Sequence, residues 1–358
     1  MSAHRVAPLL PAVQRPSFWP TAVFWKSLGT HILIPLFLAA GMALAYLGAF
    51  HQPTPHDLPV AIVGTGPATE VFAQTMNDKA PDALDVTTVA DASTARHLVE
   101  TEKLAAAYQA DATHARIILS TAACATTAET AQKIFLPIAY EQHLPVTVDD
   151  VRPAAPADLT GQGLFFLLVA LSVGSYASAI AVAAVTAKLA IGWRLAVSAA
   201  VALVVAGIGV VVAGPIYHVL SGNEWSIWLL GGLYALGIIS LGVGLHPVLG
   251  KWTTPALTLL FVMLNFTSSG GIFASYLQPA FFAGLNTFWN GAAWLQAAKA
   301  LTYFPGEAFG FAGLRLALWA TAGILLVVVT HALSVRRRRL ANESLVVSAE
   351  EEESVVAA

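Results

Sequence analysis

Long apolar segments recur along this chain and alternate with short polar connections. Six of them are 21 to 27 residues long, whereas a helix needs about 18 to 25 residues to cross roughly 30 Å of hydrocarbon. They lie near residues 28–50, 160–186, 195–219, 226–246, 253–273 and 313–334. The pattern predicts an α-helical polytopic membrane protein with six transmembrane helices. Residues 28–50 form the first, and residues 159–334 hold the other five.

Residues 51–158 follow a different pattern, in which short segments replace the long apolar ones. Four strand-like segments, from LPVAIVG (58–64) to VTVDDV (146–151), alternate with three helix-like ones. Strands that alternate with helices predict a small α/β domain between the first and second transmembrane helices. Within it, ASTARHLVETEKLAAAYQA (92–110) is predicted to form one helix.

The fifth apolar segment gives way to the polar stretch NFTSSGGIF at residues 265–273. Such residues can end a helix at the water boundary or line a cavity, but unsatisfied backbone cannot face lipid. Residues 265–271 are called the polar break below. Its candidate substrate-path residues are Asn265, Thr267, Ser268, Ser269, Gly270 and Gly271.

Residues 274–312 are apolar but interrupted by prolines and glycines, so that no uninterrupted piece is long enough to span a bilayer. We expect one or two short re-entrant helices that dip into the outer leaflet. Trp289, Trp294 and Tyr303 are expected near the headgroups, where aromatic side chains are enriched.

The composition supports a membrane location, because 57% of the residues are hydrophobic and only 11% are charged. A soluble globular protein carries about 25% charged residues. If the six segments alternate in direction, the loops and ends richest in Lys and Arg share one side, which the positive-inside rule assigns to the cytoplasm. These basic residues are Arg5, Arg15, Lys26, Lys188, Arg194, Lys251 and Arg336 to Arg339.

Residues 51–158 are then extracytoplasmic, both termini are cytoplasmic, and the protein lies in the plasma membrane. This outer segment is acidic, with fourteen Asp and Glu against six Lys and Arg.

Residues 1–27 form the cytoplasmic N-terminal segment. Its stretch PSFWPTAVFWKSLG (16–29) predicts a short helix on the membrane surface or a simple anchor. The loop AKLAIGWR (187–194) either closes a helical hairpin or contacts a cytoplasmic partner. Residues 335–358, which end in SAEEEESVVAA, are predicted to be a disordered cytoplasmic tail.

Small residues crowd residues 174–187, 206–214 and 231–244. They let helices approach closely in lipid. The stretches therefore indicate either packing within the chain or a sliding or dimerising face.

The chain offers no motif for nucleotide chemistry. GTGPAT (64–69) follows a strand, but Thr69 stands where a dinucleotide fingerprint needs glycine, and no Walker A sequence is present. The histidines lack metal-ligand spacing. We expect no enzyme activity, metal, cofactor or nucleic-acid partner. The predicted spans also lack central Asp, Glu, Lys or Arg, which ion-coupled transporters usually carry.

Taken together, one helix, an outer α/β domain, and five helices with NFTSSGGIF and ALTYFPGEAF resemble ABC-2 type permeases, in particular the branch that includes the phage infection protein. The connector VRPAAPADLTGQGLFFLLVALSVGSYASA also resembles the entry to the second helix in actinobacterial members.

The resemblance implies a half-transporter that pairs with itself or with a related permease half. It would export an amphipathic or hydrophobic compound, powered by a separate ATP-binding cassette subunit, and the polar break would shape the exit of the substrate path. The residues implied in coupling to that subunit are Trp19, Trp25, Lys26, Lys188, Trp193 and Arg194. The alternative is a non-transporting envelope protein whose outer domain binds a partner or serves as a phage attachment surface.

Overall fold

The computed structural model describes residues 21–220, 222–304 and 309–356, with side chains as far as residue 342. Within these residues, five helical runs are long and apolar enough to cross a membrane. They are Ala22–Phe50, Gly163–Thr186, Ile191–Ile216, Glu224–Ser268 and Phe309–Asn342.

The helices of this bundle are labelled in chain order together with those of the α/β domain. The bundle contains α1 (Ala22–Phe50), α5 (Gly163–Thr186), α6 (Ile191–Val211), α7 (Glu224–Leu249), α8 (Thr253–Thr258), α9 (Asn265–Ser268), α10 (Ala280–Asn286), α11 (Asn290–Thr302) and α12 (Phe309–Val356). A π-helical turn, Val212–Ile216, extends α6, and another, Leu259–Leu264, joins α8 to α9.

The run Glu224–Ser268 is two packed segments and not one straight helix. Gly250 follows α7 with φ 52° and ψ −121°, which no right-handed helix contains. A Cβ placed on Gly242 would lie 2.8 Å from the Leu257 side chain, so the residues on either side of Gly250 face each other. The six predicted segments therefore correspond to five continuous runs, one of which folds back on itself.

The glycines of α7 allow very close packing against α12. A Cβ added to Gly323 would lie 2.9 Å from the carbonyl oxygen of Gly237, and one added to Gly244 would lie 3.0 Å from the backbone nitrogen of Val327. Residues 231–244 therefore serve packing within the chain, which was the simpler of the two interpretations.

The N-terminal helix α1 lies at the edge of the bundle. Ala49 is its only buried residue, and many of its apolar side chains, Leu33 and Leu44 among them, are exposed, while Met42 and Tyr46 pack partly against the core. The sequence predicted a short surface helix within residues 16–29. In the structure, residues 22–27 are instead the first residues of α1. The Thr21 hydroxyl caps it by accepting a hydrogen bond from the backbone nitrogen of Phe24 at 3.3 Å.

The α/β domain contains a five-stranded sheet in the order β2-β1-β3-β4-β5, in which only β3 and β4 pair antiparallel. Helices cover both faces: α2 and α4 pack on one and α3 on the other. Its elements are β1 (Leu58–Val63), α2 (Pro67–Lys79), β2 (Leu84–Val89), α3 (Ala92–Glu100), β3 (Ala106–Ala110), β4 (Ala115–Leu119), α4 (Ala125–Glu141) and β5 (Val146–Asp150).

The single helix predicted for residues 92–110 was wrong. α3 ends at Glu100, Glu102 takes the positive φ of 54°, and AAYQA forms strand β3. Alanine favours helices in isolation, but Ala106, Ala107 and Tyr108 are buried between the two helical layers. Burial in the centre of the sheet therefore outweighs the local preference of alanine for a helix. Tertiary packing often overrides such local preferences.

The C-terminal segment also differs from the prediction. α12 continues without a break from Phe309 to Val356, through the residues predicted to be a disordered tail. The tail is rich in Arg, Leu, Ala and Glu, which are strong helix formers. A helix already held by the bundle is extended at little cost, because nucleation has been overcome.

Candidate functional site

The polar break lies at the end of the bundle that meets the α/β domain. The Thr126 hydroxyl of α4 donates to the carbonyl of Ile272 at 2.5 Å, and the backbone nitrogen of His56 donates to the carbonyl of Tyr276 at 2.8 Å. The Lys299 ammonium of α11 donates to the carbonyl of Ala123. The residues that follow the polar break are thus hydrogen-bonded directly to the α/β domain.

Two hydroxyls of the polar break are satisfied by their own helix. Thr267 donates to the carbonyl of Met263 at 2.7 Å, and Ser268 donates to that of Leu264 at 2.7 Å. Both side chains are fully buried. The hydroxyl donors of these two predicted substrate-path residues are therefore already used, and their burial keeps a ligand from reaching the oxygens in this structure.

The paired glycines have structural reasons. Gly270 adopts φ +80°, which side chains rarely adopt. A Cβ on Gly271 would overlap the ring of Phe165 on α5. Together they allow the chain to turn away from α9 while staying against α5.

Asn265 belongs to a buried polar cluster at the centre of the bundle. Its amide nitrogen donates to the Tyr234 hydroxyl at 2.6 Å and to the Ser172 hydroxyl at 3.2 Å. The two hydroxyls lie 2.5 Å apart. The cluster ties α5, α7 and α9 together in an otherwise apolar core.

The same region contains polar atoms without partners. Among the described residues, Asn265 Oδ1, both amide atoms of Asn290 and Trp294 Nε1 are buried and make no hydrogen bond. Trp294 packs against Tyr234, with ring centroids 6.0 Å apart. Each unpaired buried group costs about 1 to 3 kcal/mol. The cluster and these atoms together are called the polar centre.

A cavity of about 210 Å³ lies between the polar break and the α/β domain, and is called the junction cavity. The domain contributes Glu102, Ser120 and Thr127 to its wall. The bundle contributes Gly270 and polar residues from the polar break, the connection after it, α10 and α11. The polar ones are Ser269, Ser275, Tyr276, Asn286, Gln296 and Lys299. The junction cavity can therefore surround a polar group with donors and acceptors from both parts of the protein.

The wall of the junction cavity is held in place from the bundle side. Asn286 donates from its amide nitrogen to the carbonyl of Ser268 at 2.7 Å. The Arg315 guanidinium of α12 donates to the carbonyl of Thr287 at 2.6 Å and to the side-chain oxygen of Gln296. These bonds fix the α10–α11 connection against both the polar break and α12.

Two groups near the junction cavity have shifted acidities. Burial raises the pKa of the Tyr276 hydroxyl well above its ordinary value. Burial also raises the pKa of the Cys124 thiol, but the charge of Lys299 and hydrogen bonds with Thr126 and Thr127 outweigh it, and that pKa lies below its ordinary value.

The short helices after the polar break pack inside the protein. Trp294 is fully buried and Trp289 nearly so, and the Trp289 ring nitrogen donates to the carbonyl of Leu260 at 3.2 Å. The two tryptophans predicted to sit among headgroups instead fill the interior, where Trp294 packs against Tyr234 and Trp289 packs against Trp319. Residues 305–308 of this segment lie outside the described residues.

The predicted coupling residues lie at the opposite end of the bundle, called the basic end. Lys26 lies near the start of α1, and the last residue of that helix, Phe50, contacts Phe273 beyond the polar break. Lys188 follows the C-terminal end of α5, which is the end away from the polar break. Trp25, Lys26, Lys188 and Trp193 are exposed there. Trp19 lies outside the described residues.

Arg194 does not behave as a loop residue. It lies in the first turn of α6, is only 5% exposed, and donates to the carbonyl of Val243 on α7 at 3.4 Å. It cannot contact an external subunit from this position. The sequence suggested a loop because Lys188 and Arg194 interrupt the apolar pattern between two predicted spans, whereas α6 already begins at Ile191.

Ser172 and Tyr234 were missed in the sequence. Each lies in a long apolar helix that contains other hydroxyl side chains, Ser175 in α5 and Ser240 in α7 among them, so nothing in the sequence singled it out. Hydroxyl side chains within the predicted spans were the available signal, since polar side chains in membrane helices often pair across helices.

Comparison of this chain with known protein families, curated proteins and solved structures gives no match.

Proposed function

We propose that this protein is a permease subunit of the ABC-2 type that exports an amphipathic compound and is powered by a separate ATP-binding subunit. In this proposal six segments cross the plasma membrane, since the run Glu224–Ser268 folds back at Gly250. The α/β domain is then outside the cell and the basic end is cytoplasmic.

The observation that carries the proposal is the polar centre. Unpaired donors and acceptors gather at Asn265, Asn290 and Trp294, inside a bundle with an apolar exterior. Unpaired polar groups are costly, and each one in a folded protein calls for an explanation. A path for a polar headgroup explains them, because a passing ligand would supply the missing partners.

The junction cavity continues this path towards the outside. Ser269 and Gly270 line it, and they lie four and five residues after Asn265 in the same segment. In the structure the side chains of Thr267 and Ser268 are fully buried, so the path is closed between the two sites. Transport then requires the α/β domain or the short helices to move.

The outer surface of the bundle suits the apolar part of such a compound. Two apolar grooves of about 520 and 510 Å³ lie on either side of α6. The spans contain no central charged residue that would hold a coupling ion, so an external energy source is the simpler arrangement.

The proposed contact with an ATPase is the exposed part of the basic end, namely Trp25, Lys26, Lys188 and Trp193. A second copy or a related half would pack on exposed apolar helices such as α1. Both assignments are proposals.

The test begins with purification of the tagged protein from its native membrane and an ATPase assay on what co-purifies. Lys188→Glu and Trp193→Ala should abolish the stimulation of that ATPase by this protein and leave insertion of the protein into the membrane intact. Lys79→Glu is the matched control, because it reverses an exposed lysine on the α/β domain. Unchanged ATPase activity in Lys188→Glu and Trp193→Ala would refute the coupling assignment.

The alternative function, an envelope protein that binds a partner through its α/β domain, has one observation in its favour. Leu136 and Tyr140 are exposed on the same face of α4, one helical turn apart. A protein that purifies without any ATPase, and whose partner binding is lost in Leu136→Ser with Tyr140→Ser, would support it.

A further inference from the structure

A pocket of about 220 Å³ lies at the basic end, where the ends of α5 and α7 and the start of α6 meet the middle of α12. It is called the basic pocket. Its volume is several times the roughly 30 Å³ that a water molecule occupies in the liquid. Its charged and titratable lining residues are Lys188, Arg194, His246, His331 and Arg338.

Arg194 is the buried member of this set. Its guanidinium makes one long hydrogen bond, 3.4 Å to the carbonyl of Val243, and its Nε is buried without a partner. A guanidinium carries five N–H donors and stays charged in proteins. Most of its hydrogen-bonding capacity is therefore unused.

No acidic side chain balances this charge in the described wall of the pocket. The one ion pair found among the described residues, Arg96 with Asp149, lies in the α/β domain. Leaving a buried charge without a counter-charge is strongly unfavourable. The charge distribution of the pocket therefore favours an anionic ligand.

We propose that the basic pocket binds a phosphate group, with Arg194 as its buried anchor and Lys188 and Arg338 at its mouth. The planar fork of arginine matches phosphate oxygens in a bidentate manner, and lysine adds a mobile point charge. Basic pockets between membrane helices are suited to anionic headgroups. The phosphate can belong to a phospholipid or be a free ion, and binding requires no ATPase subunit.

The experiment uses the purified full chain in a mild detergent and native mass spectrometry. Phosphatidylglycerol is added in one series, phosphatidylcholine in a second, and inorganic phosphate in a third. The key variant is Arg338→Gln, and its matched control is Arg337→Gln, an equally exposed neighbour outside the pocket. Arg194→Gln and Lys188→Gln are measured in parallel. If Arg194→Gln does not fold, Lys188→Gln and Arg338→Gln still test whether the pocket binds phosphate.

The wild-type chain should retain one phosphatidylglycerol more strongly than phosphatidylcholine. Arg338→Gln should weaken that retention roughly tenfold, as expected for the loss of one charge-assisted hydrogen bond, while Arg337→Gln should not. If inorganic phosphate, and neither lipid, raises the melting temperature of the wild type but not of Arg338→Gln, the phosphate group that the pocket binds is a free ion. Equal retention of both lipids without a phosphate effect, or equal losses in Arg338→Gln and Arg337→Gln, would overturn the proposal.

Discussion

The hydroxyl of Tyr234 lies 2.6 Å from the amide nitrogen of Asn265, although the two residues are 31 positions apart in a single helical run. In a straight helix that separation would be about 46 Å, at 1.5 Å per residue. The contact therefore exists only because the chain reverses at Gly250. It brings a tyrosine of α7 and an asparagine of the polar break into the same polar centre.

Tyr234→Phe should destabilise the protein by about 1 to 2 kcal/mol, because it leaves the amide of Asn265 with only the longer bond to Ser172. Thermal unfolding in detergent measures the effect. Tyr176→Phe is the matched control, since that tyrosine is also on a bundle helix but has no hydrogen bond through its hydroxyl. Equal losses in both variants would show that the hydrogen bond contributes nothing specific.

Asn290→Ala should separate stability from function. The amide of Asn290 is buried and unpaired, so its removal relieves an unfavourable burial and should leave stability unchanged or raise it by about 1 to 3 kcal/mol. If the polar centre meets the exported compound, the same variant should lower ligand stimulation of the ATPase. A large loss of stability together with normal stimulation would contradict both the geometry and the proposed path.

Gly323→Ala should destabilise the bundle by about 1 to 3 kcal/mol, the usual cost of overpacking. The new methyl group would meet the carbonyl oxygen of Gly237 at 2.9 Å and force α12 away from α7. Gly310→Ala, on the same helix but with open space around its Cβ, should be neutral or slightly stabilising. The melting temperatures of the two variants provide the comparison.

Lys299→Met should loosen the α/β domain from the bundle, since it removes the hydrogen bond to the carbonyl of Ala123. Hydrogen exchange of residues 120–127 should become faster, and the rest of the sheet should be unchanged. Lys133→Met removes an exposed lysine from α4 and serves as the control. Identical exchange in the two variants would mean that Lys299 does not hold the domain.

Cys124 is a natural reporter of the same interface. It is the only cysteine of the chain, is 5% exposed, and its thiol lies 3.7 Å from the carbonyl oxygen of Ile272. Maleimide should label it slowly in the folded protein and quickly after denaturation. Lys299→Met should speed the labelling of the folded state, whereas fast labelling of the wild type would contradict the closed junction.

The sequence by itself determined the apolar helices, the α/β domain and the position of the polar break. These features depend on local patterns, since length and hydropathy select helices that can cross a membrane and alternation selects strands. The polar break was recognised because Asn265 and its polar neighbours interrupt an apolar run.

The tertiary structure decided what those residues do. Tyr234 and Ser172 contact Asn265 only because the helices that carry them pack together. Arg194 is buried against α7. AAYQA forms the central strand β3 because its residues are buried between the helices on the two faces of the sheet. In all three cases, residues that are far apart in the sequence come into contact. Such contacts depend on how helices and strands pack, which a periodic pattern along one segment does not specify.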